Sequence, residues 1–258
     1  MYAALSARFT DKVVLITGAT TGMGRAAAER IAAEGAKVVL AARGKEAGEA
    51  LAAELRAGGA DAVFVATDVT AEAEVASLVQ QVVDRHGRLD AAFNNVGAAT
   101  AIAPIAGIDA KAWDADLTLN LSSVFYSLKY EIPVLQASGG GAIVNNASNL
   151  AVTGAAGMAS YSAAKHGVVG LTRSAALDTA ATGIRINALV TGGVDTPLLR
   201  GNMGVPPEEA VRMAGAMHPI GRIAQPEEIA AFVAFLLSDE TAFITGAALA
   251  IDGGMTAA

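Results

Sequence analysis

Seven short apolar runs recur along the chain, and a segment of helical pattern lies between each and the next. They are 13–17 (VVLIT), 37–41 (KVVLA), 62–66 (AVFVA), 89–93 (LDAAF), 142–144 (AIV), 184–190 (IRINALV) and 247–251 (AALAI). Runs apolar at consecutive positions belong to strands buried on both faces, the signature of a parallel sheet. Parallel neighbours need a crossover between them, and the helical segments supply it with right-handed connections. No Pro- or Ser-rich linker, repeat or break in composition interrupts the alternation. The pattern predicts one doubly wound α/β domain over 1–258, with a parallel sheet of about seven strands and helices on both faces.

Composition narrows the function classes. The formal charge of −7 lacks the basic footprint that nucleic acid requires. There is no cysteine, hence no disulfide framework and no thiol nucleophile. His86, His166 and His218 are far apart, so no metal site is expected. No apolar stretch reaches the roughly 18–20 residues that span a bilayer. The first eight residues lack a signal peptide's basic start and long apolar centre. A soluble cytoplasmic protein is expected, with no nucleic-acid or membrane partner.

Where the first run ends, Gly18-Ala-Thr-Thr21-Gly22-Met23-Gly24 leads into a helix expected from Arg25 to about Ala33. Glycines between a strand and a helix let backbone approach a pyrophosphate, and the helix N-terminus offers free N–H groups. After the second run comes Arg43, with no carboxylate at Ala41 or Ala42. A dinucleotide site reads the adenosine ribose there, and Arg suits a 2′-phosphate. Asp68 and Val69 follow the third run, and Asn94, Asn95, Val96 and Gly97 the fourth. A helix is expected over 111–136, with Asn120 marking a kink or an internal polar contact and Pro133 bending or ending it.

Ser148 closes the fifth run, and a helix expected over 161–181 begins with Tyr161 and Lys165. Residues four apart share a helix face. A free phenol has a pKa near about 10, and an ammonium beside it favours the phenolate. Such a phenol exchanges a proton with a carbonyl or an alcohol, while the Ser148 hydroxyl can hold the same oxygen. Residues 198–224 resist placement in the sheet and read as a lid over a substrate pocket, with a short helix near 207–216. Met203, Met213 and Met217 suit its apolar lining.

Together these motifs resemble the short-chain dehydrogenase/reductase family over roughly residues 10–254. The resemblance implies a Rossmann-type fold and an NAD(P)(H)-dependent oxidoreductase interconverting a ketone and a secondary alcohol by hydride transfer. It implies Tyr161 as general acid/base, and Lys165 lowering its pKa and binding the nicotinamide ribose. Ser148 would hold the substrate oxygen, and Asn120 would anchor a water in a proton relay. Cofactor contacts are implied at Gly18, Thr21, Gly22, Met23 and Gly24 around the pyrophosphate. Further contacts are implied at Arg43, Asp68, Val69, Asn94 and Gly97, with Val194 and Thr196 at the nicotinamide. NADP is the expected cofactor, with NAD possible, and a homotetramer pairing the helices near 112–136 and 160–181 the expected assembly.

Three positions depart from the family pattern. Val96 stands where members usually have Ala, Thr191-Gly192 replaces Pro-Gly, and Thr21 replaces the basic residue of many NADP-preferring members. A nucleotide-sensing regulator would need the glycine loop but not Ser148, Tyr161 and Lys165. An enoyl reductase of the same fold would show a wider Tyr-to-Lys spacing. The pocket candidates, 98–103, Asn149, Leu150, Thr153 and 198–217, are mostly small or apolar and suit a hydrophobic or alicyclic ketone.

Overall fold

The strands observed in the computed structural model are β1 (Val13–Thr17), β2 (Lys37–Ala42), β3 (Asp61–Ala66), β4 (Ala91–Asn94), β5 (Gly141–Asn146), β6 (Ile184–Thr191) and β7 (Ala248–Ile251). The structure describes residues 7–202 and 204–257; Met203, expected to line the pocket, lies outside the described residues. All seven strands pair in parallel, in the order β3-β2-β1-β4-β5-β6-β7.

The helices are α1 (Gly22–Ala33), α2 (Lys45–Ala57), α3 (Glu72–His86), α4 (Ala110–Leu117), α5 (Ser123–Ala137), α6 (Ala159–Thr179), α7 (Pro197–Asn202), α8 (Pro207–Ala216) and α9 (Pro226–Leu237). β1 shows why its run is apolar throughout. Val14 and Ile16 join a core with Ile31 of α1 and Ile229 and Val233 of α9. Val13 and Leu15 join a second core with Leu78 of α3, Leu128 of α5 and Val168 of α6. Each such side chain, fully buried, contributes about 1.5–3 kcal/mol. The chain order reverses between β1 and β4, which opens a crevice beyond the strands' carboxyl ends.

Several expected boundaries are corrected. α1 starts inside the glycine loop, three residues before Arg25. The helix expected over 111–136 is two helices joined by a π-turn, Thr118–Ser122, with Asn120 at its centre. Pro133 does not end α5, which runs on to Ala137. Proline removes only the one rung its N–H would have made, and the buried face of α5 (Val124, Leu128, Leu135) holds the helix through it. α7 was not anticipated. No helix among the described residues is long and apolar enough to cross a membrane.

Candidate active site

The site is built where β1, β4, β5 and β6 end. Gly18 takes a positive φ of 62°, and a β-carbon on Gly24 would collide with the Gly18 carbonyl. Asn95 ties this turn to the next strand: its side-chain amide donates to Thr17 O (3.2 Å) and Gly18 O (3.3 Å). Thr21 is the N-cap of α1 but makes no side-chain cap bond, and the first turn carries no acidic residue. α4 by contrast is capped by Asp109, and Glu228 in α9 accepts from Gln225 N–H. The α1 terminus therefore keeps its positive dipole end open, as a pyrophosphate requires. Met23, beside it, packs against the core. A β-carbon on Gly22 would lie 2.7 Å from Thr196 Cγ2, so the turn after β6 abuts the glycine loop. Val194 in that turn is buried and bridges to Ala224.

Arg43 is exposed at the end of β2. Asp68 accepts from Thr70 N–H (3.0 Å) and Thr70 Oγ1 (2.7 Å). Those bonds, and to a smaller extent the Arg43 charge, hold its carboxyl below the usual range. Val69 lines a small cleft with Thr17, Asn94, Val96 and Ser123. Asn94 ends β4 with its side chain turned into the protein, donating to Glu131 Oε2 and Asn145 Oδ1, each at 3.0 Å, which leaves its backbone to meet an adenosine.

Ser148 follows β5, accepting from Leu150 N–H and donating to Asn149 Oδ1 (3.1 Å). Tyr161, half-buried, and fully buried Lys165 lie one turn apart on α6. The Lys165 ammonium is 5.6 Å from the Tyr161 ring centroid and donates to Asn146 O at 2.7 Å. A β-carbon on Gly97 would lie 2.8 Å from Lys165 Nζ and 2.9 Å from Asn120 Oδ1, so these three residues meet at one point.

The electrostatics differ from expectation. Burial pushes the Tyr161 phenol up, and the nearby Asp116 charge adds to the rise, while hydrogen bonding with Ser148 pulls it down. Burial also brings Lys165 down to about 8. Within the chain alone the net shift of the phenol is upward, because burial outweighs the opposing hydrogen bond, and the Lys165 ammonium is aimed at a backbone carbonyl. Asn120 bonds Ala98 through both ends of its amide and donates to Asp116 O. Both its amide hydrogens are committed, which leaves its backbone or one Oδ1 lone pair for any water.

Sequence reading missed Asp116. Wholly buried, it accepts from Thr100 N–H and Oγ1, from Ala101 N–H, and from Ser160 Oγ at 2.5 Å. It pins the loop after β4 to the residue preceding Tyr161. The available signal was its place one helical turn before Asn120, which puts both on one face.

Fold and site together define a nucleotide-binding oxidoreductase, and the chain belongs to the short-chain dehydrogenase/reductase family. A family model described as "Enoyl-(Acyl carrier protein) reductase" matches residues 18–256. The cis-4-hydroxycyclohexanecarboxylate dehydrogenase of Sinomonas cyclohexanicum is 44% identical over 249 residues, covering 96% of this chain and 98% of the relative. The crystal structure of levodione reductase superposes with a TM-score of 0.93 at 39% identity, covering 97% of this chain and 99% of that one. An actinorhodin polyketide ketoreductase crystallised with NADPH gives 0.89 at 36% identity, covering 98% and 99%. The chain is thus an enzyme acting on CH–OH or C=O groups with a nicotinamide dinucleotide.

Proposed function

We propose that the enzyme interconverts an apolar alicyclic ketone and its secondary alcohol with NADP(H), using Tyr161 as general acid/base. The observation that carries this reading is the convergence of Ser148, Tyr161 and Lys165 beside an uncapped, glycine-lined helix terminus. Gly18, Gly22 and Gly24 would hold the dinucleotide's pyrophosphate, and Thr196 and the backbone at Val194 its nicotinamide end. Bound there, it supplies or accepts a hydride. The chain's own groups do the rest: the Ser148 hydroxyl, turned from Asn149 Oδ1, donates to the substrate oxygen, Tyr161 gives or takes its proton, and Lys165 orients the ribose. The four-residue Tyr-to-Lys spacing favours carbonyl over enoyl reduction.

The substrate class rests on the rim. Ile102 and Ile105 after β4, Val152 after β5, and Leu198, Met213 and Met217 after β6 are all exposed apolar side chains. They come from the connections that leave the carboxyl ends of adjacent strands, and residues 198–224 would act as the lid. An apolar ring such as that in the Sinomonas relative's name fits such a rim. The test is nicotinamide absorbance followed with a panel of cyclic ketones against linear and phosphorylated ones. Turnover of the phosphorylated ketones alone would sink the substrate class, and no turnover of any would sink the activity. Exposed Phe125 on α5 and Leu177 on α6 support the homotetramer through those helices, checked by light scattering.

The cofactor preference rests on Arg43. A guanidinium binds a 2′-phosphate through paired, charge-assisted hydrogen bonds, while NAD offers only a hydroxyl. Arg43 is exposed and shares its surroundings with Asp68, so screening and a nearby carboxylate weaken the effect. A preference for NADPH over NADH of roughly tenfold to a hundredfold in kcat/KM is expected. Replacing Ala42 by Asp together with Arg43→Leu should reverse it. A wild type that already prefers NADH would make Arg43 a surface residue only.

A further inference from the structure

The turn that carries Val194 and Thr196 is held from behind by one imidazole. His218, just past α8, is 6% exposed. Gly193 N–H donates to its Nε2 at 2.8 Å, and its Nδ1 lies 2.8 Å from Ala214 O. A carbonyl facing Nδ1 and an N–H facing Nε2 fix the state of the ring: neutral, with its hydrogen on Nδ1. The ring packs so closely that a β-carbon on Gly192 would fall 2.6 Å from Nε2, and one on Gly193 2.9 Å from Cε1. The same turn is laced to the far end of the 197–224 segment, with Ala224 N–H donating to Gly193 O and Asp195 N–H to Ala224 O, both at 2.9 Å. On its other side Thr196 touches the glycine loop.

We propose that His218 is a positioning residue for the cofactor: its bare Nε2 fixes the turn 193–196 against the glycine loop, where the nicotinamide end is held. The inference rests on the dinucleotide reading above. An acceptor is required at that point: without one the Gly193 N–H has no partner and the turn is released. The charged groups on the surrounding elements are engaged elsewhere. Asp252, from the tail against Gly192, accepts from Gly254 N–H, Thr256 N–H and Thr256 Oγ1. Asp195 pairs with Arg200, Arg212 of α8 with Glu209, and Arg222 with Glu228. None of these carboxylates accepts from the imidazole, whose two ring nitrogens are engaged with backbone. Gly192 and Gly193 both leave room for the ring.

The test compares wild type, His218→Phe and His218→Gln for affinity toward NADPH and toward 2′,5′-ADP, which lacks the nicotinamide end. Phe keeps a ring without an acceptor, whereas Gln offers an acceptor oxygen that does not titrate. At about pH 8, the Phe variant should bind NADPH about tenfold more weakly with 2′,5′-ADP unchanged, and Gln should recover most of the loss. Amide exchange at Gly193 in the protein without nucleotide should be slow in wild type and Gln and fast in Phe. Equal Gly193 exchange in wild type and Phe, or a Gln variant as weak toward NADPH as Phe, overturns the proposal. Failure of wild type to bind either NADPH or 2′,5′-ADP overturns instead the NADP preference, which the exchange measurement does not depend on.

Discussion

Tyr161→Phe is expected to cut turnover by roughly 10²–10⁴-fold while leaving the fold and cofactor affinity in place, because only the proton donor is lost. The ring that packs at the start of α6 stays, and so do the Lys165–Asn146 bond and the glycine loop. Alcohol oxidation needs the phenolate, so its rate should rise with pH through the Tyr161 ionisation. Burial has pushed that ionisation up, which places the rising limb on the alkaline side. The limb should vanish in the Phe variant. Steady-state kinetics across the alkaline range, with cofactor titration and a melting curve alongside, read all three quantities. More than about a tenth of wild-type kcat remaining would remove Tyr161 from the acid/base role.

Glu131→Gln is expected to stabilise the enzyme at alkaline pH, although it removes a hydrogen-bonded glutamate from the core. Glu131 is wholly buried on α5, and burial raises its carboxyl to about 7 against the weaker opposing effect of Asn94. Among the described residues Glu131 Oε1 and Asn94 Oδ1 both lack a hydrogen-bond partner, and a proton on the carboxyl makes it a donor. A neutral acid can donate where a carboxylate cannot, and a glutamine amide can do the same. The folded pKa is raised, so the stability this proton contributes is full below about 4.5 and lost as pH climbs through about 7. The separation corresponds to about 3 kcal/mol, or several degrees in Tm for a chain of this size. The Gln variant should therefore match wild type near pH 4.5 and melt higher above pH 7. A variant less stable by the same amount at both ends would mean that the ionised carboxylate is what the core requires.

The fold was legible because its strands are buried on both faces, and consecutive Val, Leu and Ile state that directly. The glycine turn and the Tyr161–Lys165 pair were legible because their spacing is local. What escaped depends on partners far away in the chain. Glu131 reads as a solvent-facing helix residue until Asn94 of β4 lies beside it. His218 gains its meaning from Gly193, 25 residues earlier. Which of Asn94 and Asn95 turns inward was not legible, because it depends on the sheet around them: adjacent residues at a strand end point to opposite sides. Asn94 therefore enters the core and Asn95 reaches the glycine loop. The burial around Tyr161 and Lys165 was not legible either, because spacing shows a neighbouring charge but not what packs over it.

The π-turn at Asn120 sets a limit on how the gene can change. It holds one residue more than an α-helical turn and takes it up locally, so that two faces stay in phase across it. Upstream, Asp116 and Asn120 address the loop over 98–101. Downstream, Val124, Leu128, Glu131 and Leu135 address the sheet. Deleting one residue at the bulge would relax it to regular helix with the faces nearly aligned, whereas deleting one within α5 rotates everything after it by about 100°. Substitutions along α5 can be absorbed one at a time, but an in-frame codon loss there would turn its buried face outward. Length in this stretch is therefore more tightly constrained than identity.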